Sequence, residues 1–253
     1  MTNDHDPFYV GYHAVAPSGI ARGLRVIALL LATLGLGYGV TLARSMNPEA
    51  AAAFEYGHPS TIRGQVREFP YPVLLVPSAG LTDREAAYDR YWLVAPGKHG
   101  AQALTRGLDG EWVEATGFRI GRAEGEMLEV RGLTVAPPDP KQSRPLAEAP
   151  TAALGRMTLT GEILDSKCWL GVMRPGAGNV HRGCAARCLS GGMPPLLQVH
   201  DSSGRTVQLL LTDAEGRPAH QRFAQMAGRS VQLTGEVTRE GDLLVMRVEE
   251  VED

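Results

Sequence analysis

Hydrophobic and polar positions follow two different patterns along this chain. Residues 26–43, VIALLLATLGLGYGVTLA, form an 18-residue run without a charge. At about 1.5 Å per residue the run predicts a helix of about 27 Å, enough to cross a thin hydrocarbon core. After a short Ala-rich spacer the apolar stretches shrink to strand length and are bounded by Gly, Pro or Asp. TIRGQV (61–66), PVLLV (72–76), YWLVA (91–95), WVEATGFRI (112–120) and EMLEVRGLTV (126–135) predict five strands. HGAQALTRGL (99–108) predicts one short helix between the third and fourth.

The second half repeats that order. MTLTGEI (157–163) matches STIRGQV (60–66), with Gly161 where Gly64 stands. PLLQV (195–199) answers PVLLV, TVQLLLT (206–212) answers RYWLVA, and PAHQRFAQMAG (218–228) takes the helix position. VQLTGEVTREGDLLVMRVEEV (231–251) follows VEATGFRIGRAEGEMLEVRGL (113–133), including a shared V-x-x-T-G. Internal similarity of this kind marks a duplicated unit. Five strands with a helix between the third and fourth is the element order of an OB-fold. The fold class predicted is therefore mainly β: an N-terminal transmembrane helix, then two tandem OB-like five-stranded barrels. Another small barrel or sandwich is the alternative, because strand order is invisible at this level. The segments are a leader (1–25), the helix (26–43), a first domain (58–135), a linker with five prolines (136–150) and a second domain (156–253).

Aligning the copies isolates an insertion. From the first-strand glycine to the second-strand proline is 8 residues in copy one (Gly64 to Pro72) and 34 in copy two (Gly161 to Pro195), a difference of 26. The window DSKCWLGVMRPGAGNVHRGCAARCLSGG, residues 165–192, holds all 3 cysteines of the chain. In OB-folds the loop between the first two strands is a ligand-contacting one.

Charge refines the picture. A net charge of −3 and an aromatic content of 6% speak against a nucleic-acid binder, which needs a basic face and stacking rings. Arg22 and Arg25 precede the apolar run and Arg44 follows it, which favours a cytoplasmic N-terminus with exported barrels, as in a single-pass protein of a bacterial inner membrane. A cleaved signal peptide is the alternative. The 25-residue leader and the length of the run argue against it, although EAAAA at 49–53 offers a late cleavage site. The stretch MTNDHDPFYVGYHAVAPSG (1–19) is too polar and Pro/Gly-punctuated for a helix, and it reads as disordered or as packed on a membrane partner through Phe8, Tyr9 and Tyr12.

The insertion carries the candidate chemistry. VHRGCAARCLSGG has helical composition and ends in two glycines suited to a C-terminal cap. His181, Cys184 and Cys188 then share one helical face, and Cys168 folds back over it. Three thiols and an imidazole suit tetrahedral zinc or another transition metal, with His200 as a spare ligand. The second reading is a disulfide, expected if the insertion faces an oxidising compartment. Cys184 and Cys188 are too far apart along one helix face, so Cys168 with Cys184 or Cys188 is the expected bridge, leaving one thiol over. Lys167, Arg174, Arg182 and Arg187 offer an anion or partner contact, or simply solvate the loop. Asp165 reads as a turn residue, and Trp169 and Met173 as packing. There is no nucleophile elbow, no phosphate loop and no carboxylate pair in a persuasive context, so nothing argues strongly for an enzyme.

The stretch GEILDSKCWLGVMRPGAGNVHRGCAARCLSGGMPPL resembles a motif of poorly characterised bacterial membrane-anchored or exported proteins, D-S-K-C followed by H-R-x-C-A-x-x-C and G-G-x-P-P. The matching positions are Asp165, Cys168, His181, Cys184, Cys188, Gly191 and Gly192, and the resemblance implies no specific activity. The expected function is a periplasm-facing accessory or binding subunit of a membrane redox complex. A thiol-based redox enzyme or carrier, or a purely structural tandem-OB adaptor, are the alternatives.

Overall fold

A computed structural model describes residues 18–45, 52–78, 88–137 and 150–252. The reading of the leader through Phe8, Tyr9 and Tyr12, and most of the Pro-rich 136–150, lie outside them. The apolar run lies within helix α1, Ser18–Ser45, about 42 Å long at the usual rise. It is long and apolar enough to cross a membrane. Its two threonines fold their hydroxyls back onto the helix, Thr33 to Leu29 O at 2.9 Å and Thr41 to Gly37 O at 2.8 Å. That leaves neither polar atom unsatisfied in hydrocarbon.

The β part starts with a two-residue strand, β1 (Ala53–Phe54). The first barrel then follows as β2 (Ser60–Arg67), β3 (Val73–Pro77), β4 (Tyr88–Ala95), β6 (Trp112–Arg122) and β7 (Gly125–Val135). The two-residue β5 (His99–Gly100) and the single turn α2 (Gln102–Thr105) come between β4 and β6. The second barrel is β8 (Thr151–Asp165), β9 (Pro195–His200), β10 (Thr206–Asp213), β11 (Ser230–Glu240) and β12 (Leu243–Glu252). Between β8 and β9 stands α3 (Arg182–Ser190), and between β10 and β11 stands α4 (His220–Phe223). In each barrel the third strand closes onto the fifth in parallel, β4 on β7 and β10 on β12, while the other pairs are antiparallel. The neighbour order 1-2-3-5-4-1 and the helix after strand three make both barrels OB-like.

The repeated residues have repeated jobs. Gly64 opposes Val113 and Gly161 opposes Val231. A Cβ on either would lie 2.5 Å or 2.3 Å from the carbonyl oxygen of the next strand, Leu75 or Gln198. The shared T-G marks a bulge: the register slips between Thr116 and Gly117 and again between Thr234 and Gly235. Bulges of this kind sharpen twist and let a five-stranded sheet close. The threonine before each bulge bonds a threonine of the first strand, Thr61 to Thr116 and Thr158 to Thr234, both at 2.9 Å.

The barrels are fused side by side. Val66, Leu74, Leu93, Ala101, Val113, Ala115, Leu128 and Val130 fill the first barrel. Their neighbours on the opposite face of the same strands, Val73, Leu75, Trp92, Val94 and Met127, belong to the core of the second barrel and its insertion. Two buried faces explain why PVLLV and YWLVA run apolar without alternation. The described residues from 52 onward form one compact unit. Tyr71 is 1% exposed; its hydroxyl accepts the Ala219 N–H at 2.8 Å and donates to Leu211 O at 3.4 Å across the seam. Burial pushes its phenol well above the usual range. Tyr71→Phe strands the Ala219 N–H, so urea unfolding is expected to show a loss of about 1–3 kcal/mol. A change within experimental error would mean that the hydroxyl carries no weight in the seam.

Candidate metal centre

The insertion is organised from Asp165 outward. This residue ends β8 with 0% exposure, and its Oδ1 accepts the Cys168 N–H at 2.9 Å, as an N-capping side chain does. The chain winds into the turn Cys168–Val172, crosses a Gly/Pro loop and enters α3. The helix ends with Met193 N–H bonding Cys188 O at 3.1 Å and Gly192 N–H bonding Leu189 O at 3.0 Å, with Gly192 at φ 99°. That is the paired-bond glycine cap the two glycines predict. Cys188 and Met193 are both fully buried against the second barrel.

This scaffold brings the three sulfurs together. Cys168, Cys184 and Cys188 place their Sγ atoms within 4.8 Å of one another, and the Cys168–Cys184 separation is 3.8 Å. All three thiols are free. Cys168 and Cys188 are 3% and 1% exposed, while Cys184 is half-buried. His181 lies beside Cys168 but turns to Asp165, with Nε2 3.0 Å from Oδ2. Asp165, Cys168 and His181 thus form a second cluster that shares Cys168 with the first. A carboxylate only accepts, so His181 donates Nε2–H to it. This is the arrangement that fixes the tautomer of a histidine near metals.

The first barrel supplies a group with no local sequence signal. Lys98, in the turn before β5, points its ammonium at Cys184 Sγ, 2.7 Å away, and lies 3.9 Å from Cys188 Sγ. The main chain around it docks on the C-terminus of α3. Gly100 N–H bonds Gly191 O at 2.9 Å, and Gln102 Nε2 donates to Gly192 O at 2.7 Å. The bond to Cys184 holds the Lys98 ammonium above its ordinary pKa. Within the thiol group, the hydrogen bond to Cys188, then burial and the Asp165 charge, push the Cys168 thiol far up. The same hydrogen bond lowers Cys188, with help from Lys98.

The basic residues of the insertion do not act together. Lys167 turns inward, 3% exposed, and its ammonium meets Glu129 Oε2 at 2.6 Å, Gly97 O at 2.7 Å and Ala95 O at 3.2 Å, all in the first barrel. It holds no face open to an anion. Arg174 donates to Ala52 O at 2.6 Å. Arg182 and Arg187 are exposed on α3. His200 sits at the end of β9 beside Thr206, outside both clusters. Trp169 packs as expected: its indole N–H bonds Gln198 Oε1 at 3.1 Å, and the Arg122 guanidinium lies 4.7 Å above its ring. Met173 is 45% exposed, because the chain leaves the barrel surface there.

No protein-family model, curated protein or solved structure matches this chain. Its chemistry is read from the site itself.

Proposed function

We propose that this protein is a membrane-anchored accessory subunit whose insertion binds a thiophilic metal ion, zinc or a close relative, through Cys168, Cys184 and Cys188. The sulfur geometry carries the reading. Tetrahedral zinc with bonds of about 2.3 Å sets its sulfurs about 3.8 Å apart, and Cys168 and Cys184 stand 3.8 Å apart. His181, clustered with Cys168 and steadied by Asp165, is the protein candidate for a fourth ligand. A bound ion would also explain how three thiols stay reduced if the barrels are exported, where unliganded cysteines tend to pair. The arginine bias around α1 supports that orientation. The anchored seam of two barrels gives the site a rigid support beside other subunits of a membrane complex.

Metal analysis of full-length protein, purified in detergent without chelator, tests the site. About one zinc per chain is expected, lost in Cys184→Ser and Cys168→Ser. Cobalt substituted for zinc should show thiolate charge-transfer absorption. Stoichiometric thiols with no metal and no cobalt spectrum would sink the reading. Orientation is tested by alkaline phosphatase fused to the C-terminus, which is active only if exported.

A thiol switch is the second reading, favoured by the same Cys168–Cys184 proximity and by the ammonium on Cys184. It predicts a Cys168–Cys184 disulfide on mild oxidation and a cycle of reduction in the cell. Mass spectrometry of peptides trapped by rapid alkylation separates the two readings.

A further inference from the structure

We infer that Lys98 selects the charge of the ion held by the three thiolates, setting the site for divalent over trivalent thiophiles; this rests on the thiolate-site reading above. Lys98 belongs to the first barrel, yet its ammonium is 2.7 Å from Cys184 Sγ. It is not a wandering surface side chain. Its turn is fixed to the end of α3 by the Gly100–Gly191 and Gln102–Gly192 bonds, and its carbonyl passes so close to Gly191 that a Cβ there would lie 1.8 Å from it.

The charge count decides what that ammonium favours. Zinc binding, Zn²⁺ + 3 RSH → [Zn(SR)₃]⁻ + 3 H⁺, leaves one negative charge on the ion and its sulfurs. Arsenite binding, As(OH)₃ + 3 RSH → As(SR)₃ + 3 H₂O, leaves none. Both consume the same three thiols and neither changes an oxidation state. A fixed cation at hydrogen-bond distance stabilises the first product and is indifferent to the second. The other charged group against the cluster, the Asp165 carboxylate bonded to His181, lies behind Cys168 and opposes the anionic product. It is unchanged when Lys98 is replaced, so the change in zinc-to-arsenite preference between wild type and Lys98→Met isolates the lysine. The lysine is exposed along part of its length, so the effect is screened and sensitive to salt.

Competitive titration of reduced, full-length protein with zinc and with arsenite, for wild type, Lys98→Met and Lys98→Arg, tests this. Lys98→Met is expected to weaken zinc roughly tenfold at low salt while leaving arsenite within about twofold, and added salt should narrow the gap. Lys98→Arg should keep zinc binding near wild type. If wild type binds zinc and Lys98→Met weakens both ions equally, or neither, the lysine only positions the helix and the inference is overturned alone. If wild type takes up neither ion, the thiolate site falls and the inference falls with it.

Discussion

Lys167→Ala is expected to destabilise the fused barrels by about 3–5 kcal/mol, because it removes one member of a buried ion pair. In a unit of this size that corresponds to a fall in Tm of roughly 6–20 °C, read by thermal melting in detergent. The lysine leaves the insertion and plugs into the wall of the first barrel, where Glu129 is 4% exposed. Without it, two carbonyls and half of a carboxylate lose their donor. Arg131, 2.7 Å from the other Glu129 oxygen, keeps part of the charge compensated and places the expectation at the lower end of the range. Lys167→Met with Glu129→Leu is expected to recover much of the loss, since apolar replacement of a buried pair is often neutral. If Lys167→Ala stays within 1 kcal/mol of wild type, the plug does not hold the insertion to the first barrel.

How much of this was legible in the chain depends on the sequence separation of each contact. Gly64, Gly161 and the T-G pairs could be matched because the same close approaches and the same bulge occur in each barrel. The length mismatch between Gly161 and Pro195 located the insertion, and the final glycines announced the end of α3. Lys98 was not legible. It occupies an ordinary Gly-flanked turn, and its thiolate contact spans 86 residues. Lys167 was misplaced for the same reason: its partner is 38 residues upstream in another barrel, so composition alone grouped it with the arginines. The unbroken apolar runs of β3 and β4 did carry the signal of a second buried face, but what covers that face is set by tertiary packing. The 15 residues of β8 outrun the apolar stretch 157–163, because residues 151–156 are held by pairing with β11.

These contacts make the cysteine site a property of both barrels. The helix presenting Cys184 and Cys188 is fixed at its end by the first barrel, and Cys168 is fixed at its start by Asp165 of the second. A single barrel with the same insertion would lack the cation at the sulfurs and the bonds that close over Gly191 and Gly192. The first barrel has no cysteines of its own, yet it contributes to the site.

Gly191→Ala should be the most damaging one-carbon change in the insertion. Its φ of −83° suits any residue, so no backbone strain is involved. The obstacle is space: the added carbon would lie 1.8 Å from Lys98 O, and a carbonyl cannot swing aside as a side chain does. The α3 terminus and the β4–β5 turn must separate, which costs at least the 1–3 kcal/mol usual for overpacking, about, plus the Gly100 and Gln102 hydrogen bonds at about 1 kcal/mol each. Lys98 moves with its turn, so the ammonium leaves Cys184 as well. Two readouts should therefore move together: stability falls by about 3 kcal/mol or more, and zinc affinity falls roughly as far as in Lys98→Met. Arg187→Ala, on the exposed side of the same helix, is the control and should change neither. A Gly191→Ala protein that melts and binds zinc like wild type would show that the first barrel does not press on the site.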